Sequence, residues 1–190
     1  NNEVALSESL LGLHLCTRID GLYTAGKIVE TEAYRAPEDK ASHAYGNRRT
    51  NRTETMFKSG GHAYIYLCYG IHHLFNVVTG PADTAHAILV RALEPSDGID
   101  VMLERRNMDR LDRRLTNGPG SLTKAMGITT HWDGVLLDTE KNIWIEDRER
   151  RLEPEDVIRS PRVGVDYAAE CALWNWRFRI KNNQWCSPAK

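Results

Sequence analysis

The sequence predicts a mixed α/β protein of the α+β kind, with one domain over residues 1–190. Stretches rich in β-branched and aromatic residues with alternating polarity recur along the chain, as in the strands of an antiparallel sheet. Between them, residues 97–106 and 121–126 carry apolar side chains at helical spacing. No internal repeat or long linker divides the chain, and 190 residues are enough for one hydrophobic core.

The first predicted strand of chemical interest is residues 28–34, IVETEAY. Alternate side chains of a strand share a face, so Glu30, Glu32 and Tyr34 should point the same way. Two carboxylates beside an aromatic ring suit a reactive site. A solvated outer face explains them as well, and this segment alone leaves both interpretations open.

A hairpin is predicted from residues 62–68 and 72–79, with its turn at Tyr69-Gly70. Gly70 can adopt the positive φ that a tight turn needs. Tyr64 and Tyr66 share one face of the first strand. The Tyr69 ring falls at the tip, where it either contacts a partner or folds back on its own sheet.

Another apolar strand, residues 85–93, contains Arg91, which needs a carboxylate or phosphate partner if it is buried. Glu30 or Glu32 would serve. Further elements complete the prediction: a strand over 10–19 turning at Asp20-Gly21, short helices over 38–45 with His43 and over 97–106 with Ser96 as its cap, a helix over 121–126 closed by Gly127, and short strands over 135–137, 143–146, 162–165 and 177–180.

Composition limits the range of functions. The chain is 41% hydrophobic and 27% charged, with a formal net charge of −1, as in ordinary globular proteins. No apolar run approaches the ~20 residues that cross a bilayer, and no secretory leader opens the chain, so we expect a cytoplasmic protein without a membrane partner. Four scattered cysteines without a Cys-x-x-Cys pair argue against a disulfide framework or a zinc site.

Basic charge is concentrated locally. Residues 40–62 carry five lysines and arginines against the single acid Glu54, a balance of +4 in a chain that is otherwise net acidic. A polar loop rich in arginine can hold phosphates, although a solvated loop is an equally good explanation of this segment alone. The sequence contains no His-x-x-x-His, G-x-S-x-G, Walker or G-x-G-x-x-G motif, which disfavours the corresponding enzyme classes.

A series of short motifs runs along the chain: VETEAY at 29–34, PED at 37–39, ASH at 41–43, MF at 56–57, YIY at 64–66, YG at 69–70, Asn76, LVRALEP at 89–95, NGP at 117–119 and RVGV at 162–165. Motifs in this order resemble those of the alkyladenine (3-methyladenine) DNA glycosylases. The resemblance covers nearly the whole chain, and the compact length of the chain resembles the bacterial members.

The resemblance implies one domain around a curved antiparallel sheet, with a β-hairpin that projects into double-stranded DNA. It implies a monofunctional enzyme of base excision repair that flips an alkylated or deaminated purine out of the duplex and hydrolyses its bond to deoxyribose. Such an enzyme acts as a monomer, uses no metal or other cofactor and forms no Schiff base. The candidate lesions are 3-methyladenine, 7-methylguanine, hypoxanthine and ethenoadenine.

The same resemblance assigns roles to individual residues. Glu32 matches the general base that activates water, and Arg91 the arginine that helps to hold it. The remaining matches are Tyr34 and His43 around the flipped base, Tyr66 at its edge, Asn76 against the amino group of guanine, and Tyr69 as the wedge. Further DNA contacts are expected from Tyr64 and, in the basic loop, from Arg48, Arg49, Thr50 and Arg52. Motif position, and not physics, selects Glu32 over Glu30.

Two departures and two rival functions accompany this assignment. Histidines at 72 and 73 replace bulky apolar residues of the family, which predicts a changed pocket floor, and Glu54 would repel DNA within the basic loop. One rival is a lesion-binding module that does not cut. The other is a metal-dependent nucleotide hydrolase that uses Glu30, Glu32 and the histidines.

Overall fold

Strand β2 lies at the centre of an eight-stranded antiparallel sheet in the computed structural model, which describes residues 3–148 and 151–188. The predicted mixed α/β class is confirmed. The strands are β1 (His14–Ile19), β2 (Leu22–Arg35), β3 (Ala63–Cys68), β4 (His72–Thr79), β5 (His86–Asp97), β6 (Ile143–Glu146), β7 (Val157–Ser160) and β8 (Arg177–Ile180), and the α-helices of the described part are α1 (Glu3–Ser9), α2 (Ile99–Arg106) and α3 (Pro119–Met126).

The sheet branches at β2. Its main path runs β3-β4-β5-β2-β1-β6, so β5 follows one edge of β2. The other edge pairs first with β1, where Leu22 meets Ile19, and then with β8, where Glu30 meets Arg179. The β1–β2 turn at Asp20-Gly21 was predicted and is confirmed. This branching brings the C-terminal part of the chain beside the middle of β2.

Three irregularities interrupt the pairing of β2 with β5, and two of them lie in the middle of β2. Ile28 pairs with Leu93 but Glu30 with Ala92, which leaves Val29 as an extra residue on β2. Thr31 then pairs with Val90, so Arg91 is the extra residue on β5. Bulges of this kind re-aim side chains locally and are frequent beside functional sites.

The two faces of the sheet carry different kinds of side chain. Side chains such as Ile65, Phe75 and Val90 point to one face and pack with Leu122 and Met126 of α3 in the main hydrophobic core. Burial of such side chains stabilises the fold by roughly 1.5–3 kcal/mol each. Their neighbours on β2–β5 point to the opposite face, which holds polar and aromatic residues. Alternation along each strand therefore separates the core from the candidate site.

Glycines set the ends of the two helices on the core face. Gly98 precedes α2 with φ 66°, and a Cβ there would lie 2.1 Å from the carbonyl oxygen of Tyr23. Gly127 ends α3 with φ 75°, as the sequence predicted. Pro119 begins α3, where its missing N–H costs no helical hydrogen bond.

The β3–β4 hairpin has the predicted turn. Tyr69 and Gly70 both have positive φ, 50° and 73°, and the N–H of Ile71 donates to the carbonyl of Cys68. Positive φ at both central residues suits the twist of a hairpin. The Tyr69 side chain is 92% exposed and so does not fold back on the sheet.

Several predicted elements are wrong. Residues 38–45 form turns instead of a helix, because the Asp39 carboxylate accepts the backbone N–H of Ala41 and competes with helical bonding. Strand β5 continues through Glu94-Pro95 to Asp97, and Pro95 is tolerated because β4 pairs with β5 only as far as Leu89.

Four further details differ from the prediction. Ser96 therefore lies in β5 and does not cap α2, and the first strand begins at His14 because the preceding residues follow α1, which was not predicted. Residues 135–137 make only an isolated bridge between Leu136 and His62, and 162–165 form a turn.

Within the described ranges, no helix has the length and apolar character needed to cross a membrane.

Candidate active site

A cavity of about 460 Å³ opens on the face of the sheet opposite the main core. That volume lies in the range of small-molecule and nucleobase pockets. Eight of the residues assigned from the sequence line it: Tyr34, His43, Arg52, Tyr64, Tyr66, Tyr69, Asn76 and Arg91. The sequence pattern therefore brought together residues from four strands and two loops.

Strand alternation explains the convergence. Tyr64 and Tyr66 project from β3, Asn76 from β4 and Arg91 from β5, each at a position whose neighbours point into the core. Tyr34 projects from the end of β2. The cavity is thus built on regular strands, which hold side chains more rigidly than loops do.

Glu32 is fully buried and lies directly behind the cavity surface. Its Oε2 accepts from the hydroxyl of Tyr34 at 2.8 Å and from Nη1 of Arg91 at 3.3 Å. Its Oε1 accepts from the backbone N–H of Val163 at 2.8 Å. All three donor residues line the cavity, so the carboxylate is separated from it by one layer of side chains.

Glu30 is also fully buried, but other groups surround it. Its Oε1 accepts from Nε of Arg91 at 2.9 Å, from Nε of Arg177 at 2.8 Å and from the hydroxyl of Ser187 at 2.8 Å. Its Oε2 accepts from the backbone N–H of Ser187 at 2.6 Å. The C-terminal segment therefore closes over this carboxylate, and Glu30 does not line the cavity.

Hydrogen-bond capacity separates the two carboxylates. An ionised carboxylate has about four acceptor positions. Among the described residues Glu30 receives four donors, which fills that capacity, whereas Glu32 receives three. Counted over the described residues, Glu32 thus keeps one acceptor position for a further donor, such as a water molecule reached through the cavity.

Arg91 contacts both carboxylates. The sequence predicted that a buried Arg91 would pair with Glu30 or Glu32, and it pairs with both. Its Nε contacts Glu30 and its Nη1 contacts Glu32. Burial by itself would lower the pKa of Arg91, but the charges of Glu32 and then Glu30 outweigh it and raise that pKa. A permanent positive charge thus lies between two buried acids, and it also reaches the cavity wall.

Three aromatic rings form one wall of the cavity. The His43 ring meets Tyr66 edge-on with centroids 4.6 Å apart, and the rings of Tyr64 and Tyr66 lie 5.5 Å apart. Nδ1 of His43 lies 3.0 Å from the hydroxyl of Tyr64, and its Nε2 lies 3.4 Å from Nη2 of Arg52. A guanidinium can only donate, so Nε2 accepts and the hydrogen is on Nδ1.

This environment keeps His43 neutral. Burial, and then the positive charge of Arg52, lowers its pKa from 6.5 to about 4. Burial also raises the pKa of Tyr64 to about 12, and that of Tyr34 well above its usual value with help from the Glu32 charge. The wall therefore presents uncharged rings at neutral pH.

Asn76 is a buried residue in the lining of the same cavity. Its Nδ2 donates to the carbonyl of Tyr64 at 3.1 Å and to that of Leu74 at 3.4 Å. Both bonds fix the amide on the β3–β4 pair. The side chain is buried and lines the cavity, so it limits how deeply a ligand can enter.

The mouth of the cavity is polar and aromatic. Arg52 lies over the ring of Tyr66, with Cζ 4.9 Å from the ring centroid, and Tyr69 stands exposed beside it. Tyr167, which the sequence did not indicate, completes this rim: it is 70% exposed, and its hydroxyl donates to the carbonyl of Ala41 at 3.3 Å.

Three of the assigned DNA-contact residues do not line the cavity: Arg48, Arg49 and Thr50. Arg48 is exposed and lies four residues before Arg52, which does line the cavity. Arg49 is occupied by Glu54 and Asp83, so Glu54 neutralises a neighbouring arginine instead of standing alone. The Thr50 hydroxyl lies 3.2 Å from that of Thr53 within the loop.

The predicted change of the pocket floor by the histidines is wrong. The imidazole of His72 occupies the space where a Cβ of Gly120 would lie, at the start of α3. Nδ1 of His73 accepts the backbone N–H of Thr130 at 3.1 Å. Neither residue lines the cavity; their rings lie against residues at and after helix α3 instead.

Sequence reasoning noticed PED and RVGV only as motifs and gave their residues no role. Asp39 and Arg162 form a bidentate pair behind Tyr34, and Val163 holds Glu32. The sequence feature that could have revealed this pair is a charged residue in each of two motifs: Asp39 in PED and Arg162 in the otherwise apolar RVGV. Their separation by more than a hundred residues hid the pairing.

The described part of the chain contains no group of three His, Cys, Asp or Glu side chains that could hold a metal ion. Glu30 and Glu32 are instead surrounded by arginine and other hydrogen-bond donors. The negative charges of Glu30 and Glu32 are thus balanced by arginine side chains of the protein.

Relatives with assigned names match along nearly the whole chain. A Bacillus mycoides protein is 44% identical over 97% of this chain and 94% of its own length. Relatives from Bacillus cereus, 43% identical over 96% and 92%, and Bacillus cytotoxicus, 42% identical over 96% and 93%, follow. All three bear the name "Putative 3-methyladenine DNA glycosylase".

Fold, site and relatives together define the class of this protein, a DNA glycosylase. The model of the methylpurine-DNA glycosylase family matches residues 1–184. The chain belongs to the methylpurine-DNA glycosylase family, and the resemblance seen in its motifs is confirmed.

Proposed function

We propose that the chain is a monofunctional glycosylase that removes alkylated or deaminated purines from double-stranded DNA. Its relatives carry the name of 3-methyladenine DNA glycosylase, which makes 3-methyladenine the leading substrate. 7-Methylguanine, hypoxanthine and ethenoadenine are the further candidates. The enzyme would work as a monomer on bacterial DNA in the cytoplasm.

The observation that carries the proposal is the spare acceptor position of Glu32 behind an aromatic cavity. A water molecule that enters between Tyr34, Arg91 and Val163 can donate one proton to Glu32. Its oxygen attacks C1′ of the deoxyribose, the C1′–N bond breaks, and the bonding electron pair leaves with the base. A cationic lesion such as 3-methyladenine leaves as the neutral free base, whereas a neutral lesion such as hypoxanthine leaves as an anion that takes up a proton from solvent. The other product is an abasic sugar, the proton on Glu32 returns to solvent, and no protein adduct forms.

Base recognition rests on the rings. A flipped purine between Tyr34 and His43 would have both faces covered, with Tyr66 at its edge, and stacking is worth ~1–3 kcal/mol per base. The low pKa of His43 supports this role, since a neutral ring does not repel a cationic base. Asn76, fixed by two backbone carbonyls, would oppose the exocyclic amino group of guanine.

DNA binding would use the hairpin and the mouth. Tyr69, exposed beside the cavity, would fill the gap that the flipped nucleotide leaves, which offsets part of an extrusion cost of a few kcal/mol. Tyr64 would support the pocket from within through its contact to His43. Arg52, Arg48 and Thr50 would approach the phosphates, and Arg49 less so because two acids already hold it.

Release of free base is the decisive measurement. Oligonucleotide duplexes with each of the four lesions are incubated with the protein in EDTA, and the released base is measured by mass spectrometry. We expect base release and alkali-labile abasic sites, without strand cleavage or borohydride-trapped protein. Binding without release would instead identify a lesion-binding module, and loss of release in EDTA a metal-dependent hydrolase.

A further inference from the structure

The Tyr34 ring has a positive charge behind it. Cζ of Arg162 lies 4.7 Å from the centroid of the ring. Arg162 is buried and does not line the cavity, whereas Tyr34 does. One face of the ring is therefore covered by a guanidinium, and the other face is the one available to a ligand.

Arg162 is held rigidly in that position. Its Nη1 donates to Oδ2 of Asp39 at 2.5 Å and to the carbonyl of Ala33 at 2.8 Å. Its Nη2 donates to Oδ1 of Asp39 at 2.8 Å and to the carbonyl of Cys171 at 3.2 Å. Both side chains of the Arg162–Asp39 pair are fully buried. A planar guanidinium fixed by a bidentate carboxylate cannot rotate away from the ring.

The opposite side of Arg162 is also aromatic. Trp176 lies on it, with its ring centroid 5.2 Å from Cζ of Arg162, and Arg35 lies 5.4 Å from the same indole ring. Tyr34, Arg162, Trp176 and Arg35 thus form a stack of alternating rings and cations. This stack extends from the cavity wall to the partly exposed Arg35, which offers a matched control outside the cavity.

A cation on one face of a ring changes what the other face attracts. The face of a tyrosine ring carries negative electrostatic potential, which is why cations bind to it. Arg162 draws that electron density toward itself and adds its own repulsion through the ring. A positively charged purine, such as 7-methylguanine, is therefore held less well on the free face than a neutral purine, such as hypoxanthine.

We infer that Arg162, fixed by Asp39, is a positioning residue that sets the stacking face of Tyr34 and shifts lesion preference toward neutral purines. Arg162 touches neither substrate nor the reacting atoms and acts only through Tyr34. The inference rests on the proposed function, because it assumes that a base stacks on Tyr34.

The test compares lesions within one variant. Removing Arg162 alone would leave Asp39 buried without its partner, so the pair is neutralised together in Asp39→Asn/Arg162→Gln. We measure kcat/KM for duplexes with hypoxanthine and with 7-methylguanine, and take their ratio. The ratio should fall about tenfold in favour of the charged lesion, the size expected from loss of one cation–π contact. Arg35→Gln, two positions along the stack, should leave the ratio unchanged.

The ratio distinguishes this role from simple structural support. A variant with a loosened pocket loses activity on both lesions equally, and an unchanged ratio overturns the inference, as does a shift toward hypoxanthine. If the double variant does not fold, Asp39→Asn/Arg162→Met takes its place: it also removes both charges and keeps an unbranched side chain behind Tyr34, and the ratio should shift in the same direction. Absence of base release by the wild-type protein would refute the proposed function itself.

Discussion

Glu30 and Glu32 differ little in sequence and greatly in surroundings. They lie two positions apart on β2, both are fully buried, and the same arginine contacts both. The C-terminal part of the chain supplies three of the four donors to Glu30 and Arg91 supplies the fourth, whereas the donors of Glu32 all belong to the cavity wall. Burial alone therefore does not identify a reactive carboxylate. The distinguishing feature is an unused hydrogen-bond acceptor position next to the cavity.

The largest expected effect is on chemistry at Glu32. Glu32→Gln keeps the shape of the side chain but cannot take a proton from water, so the single-turnover rate of base release should fall by about a thousandfold or more. Lesion binding in a gel shift should stay within about threefold, because the rings and the wedge are untouched. Near-normal release by this variant would remove the general-base role.

Glu30→Gln should affect stability instead. It removes one charge from a buried network with Arg91 and Arg177, and breaking such networks typically lowers the free energy of unfolding by about 3 kcal/mol or more. Urea denaturation measures this loss. Under conditions where the variant is folded, the rate of base release should stay within about tenfold of wild type. A severe loss of release with unchanged stability would reverse the assignment of the two acids.

Sequence alone could predict the strands but not this distinction. Strands β4, β6 and β8 have the predicted bounds because each is a short run rich in β-branched or aromatic residues between turn-forming segments. The partners that separate Glu30 from Glu32 are Arg177 and Ser187, which lie about 150 residues further along the chain. Such pairings depend on the branch in the sheet, which no local pattern reveals.

The same limit explains the errors around the site. Residues 38–45 contain plausible helix formers, yet Asp39 binds Arg162, a contact across 123 residues. The motif PED was recognised, while its structural consequence was not. By contrast, the shared face of the cavity residues Tyr64 and Tyr66 was predictable, because strand period alone decides it. Asn76 lies on the neighbouring strand, and only the resemblance to the family assigned it to the same site.

The third prediction concerns His43, whose imidazole in the cavity wall is neutral, in contrast to the charged network around Glu30. His43 has a pKa of about 4 when folded, below its ordinary 6.5. Between these pH values the unfolded chain binds the extra proton, so the free energy of unfolding should fall as pH is lowered from 6.5 to 4, by at most about 3 kcal/mol. Denaturation of His43→Gln should show a correspondingly shallower decline, and NMR titration of wild type should find no His43 transition near pH 6.5.

The fourth prediction separates binding at the mouth from chemistry at Glu32. Tyr69→Ala removes an exposed ring that the fold does not use, so lesion-DNA affinity should weaken by about 2 kcal/mol while thermal stability stays the same. Leu173, an apolar residue outside the cavity lining that is 77% exposed, gives the control: Leu173→Ala should not change affinity. Equal affinities for wild type and Tyr69→Ala would exclude the wedge.

The smallest expected effects come from removing one donor from each acid. Tyr34→Phe takes the hydroxyl from Oε2 of Glu32 and keeps the stacking ring, so the rate of base release should fall about tenfold with little change in stability. Ser187→Ala takes one of four donors from Glu30 and should lower the free energy of unfolding by about 1 kcal/mol without changing the rate. The two variants make nearly the same chemical change and differ only in which acid loses a bond. Rate and stability measured on both therefore test whether the cavity, and not burial, distinguishes Glu32, and parallel effects in the two variants would contradict that view.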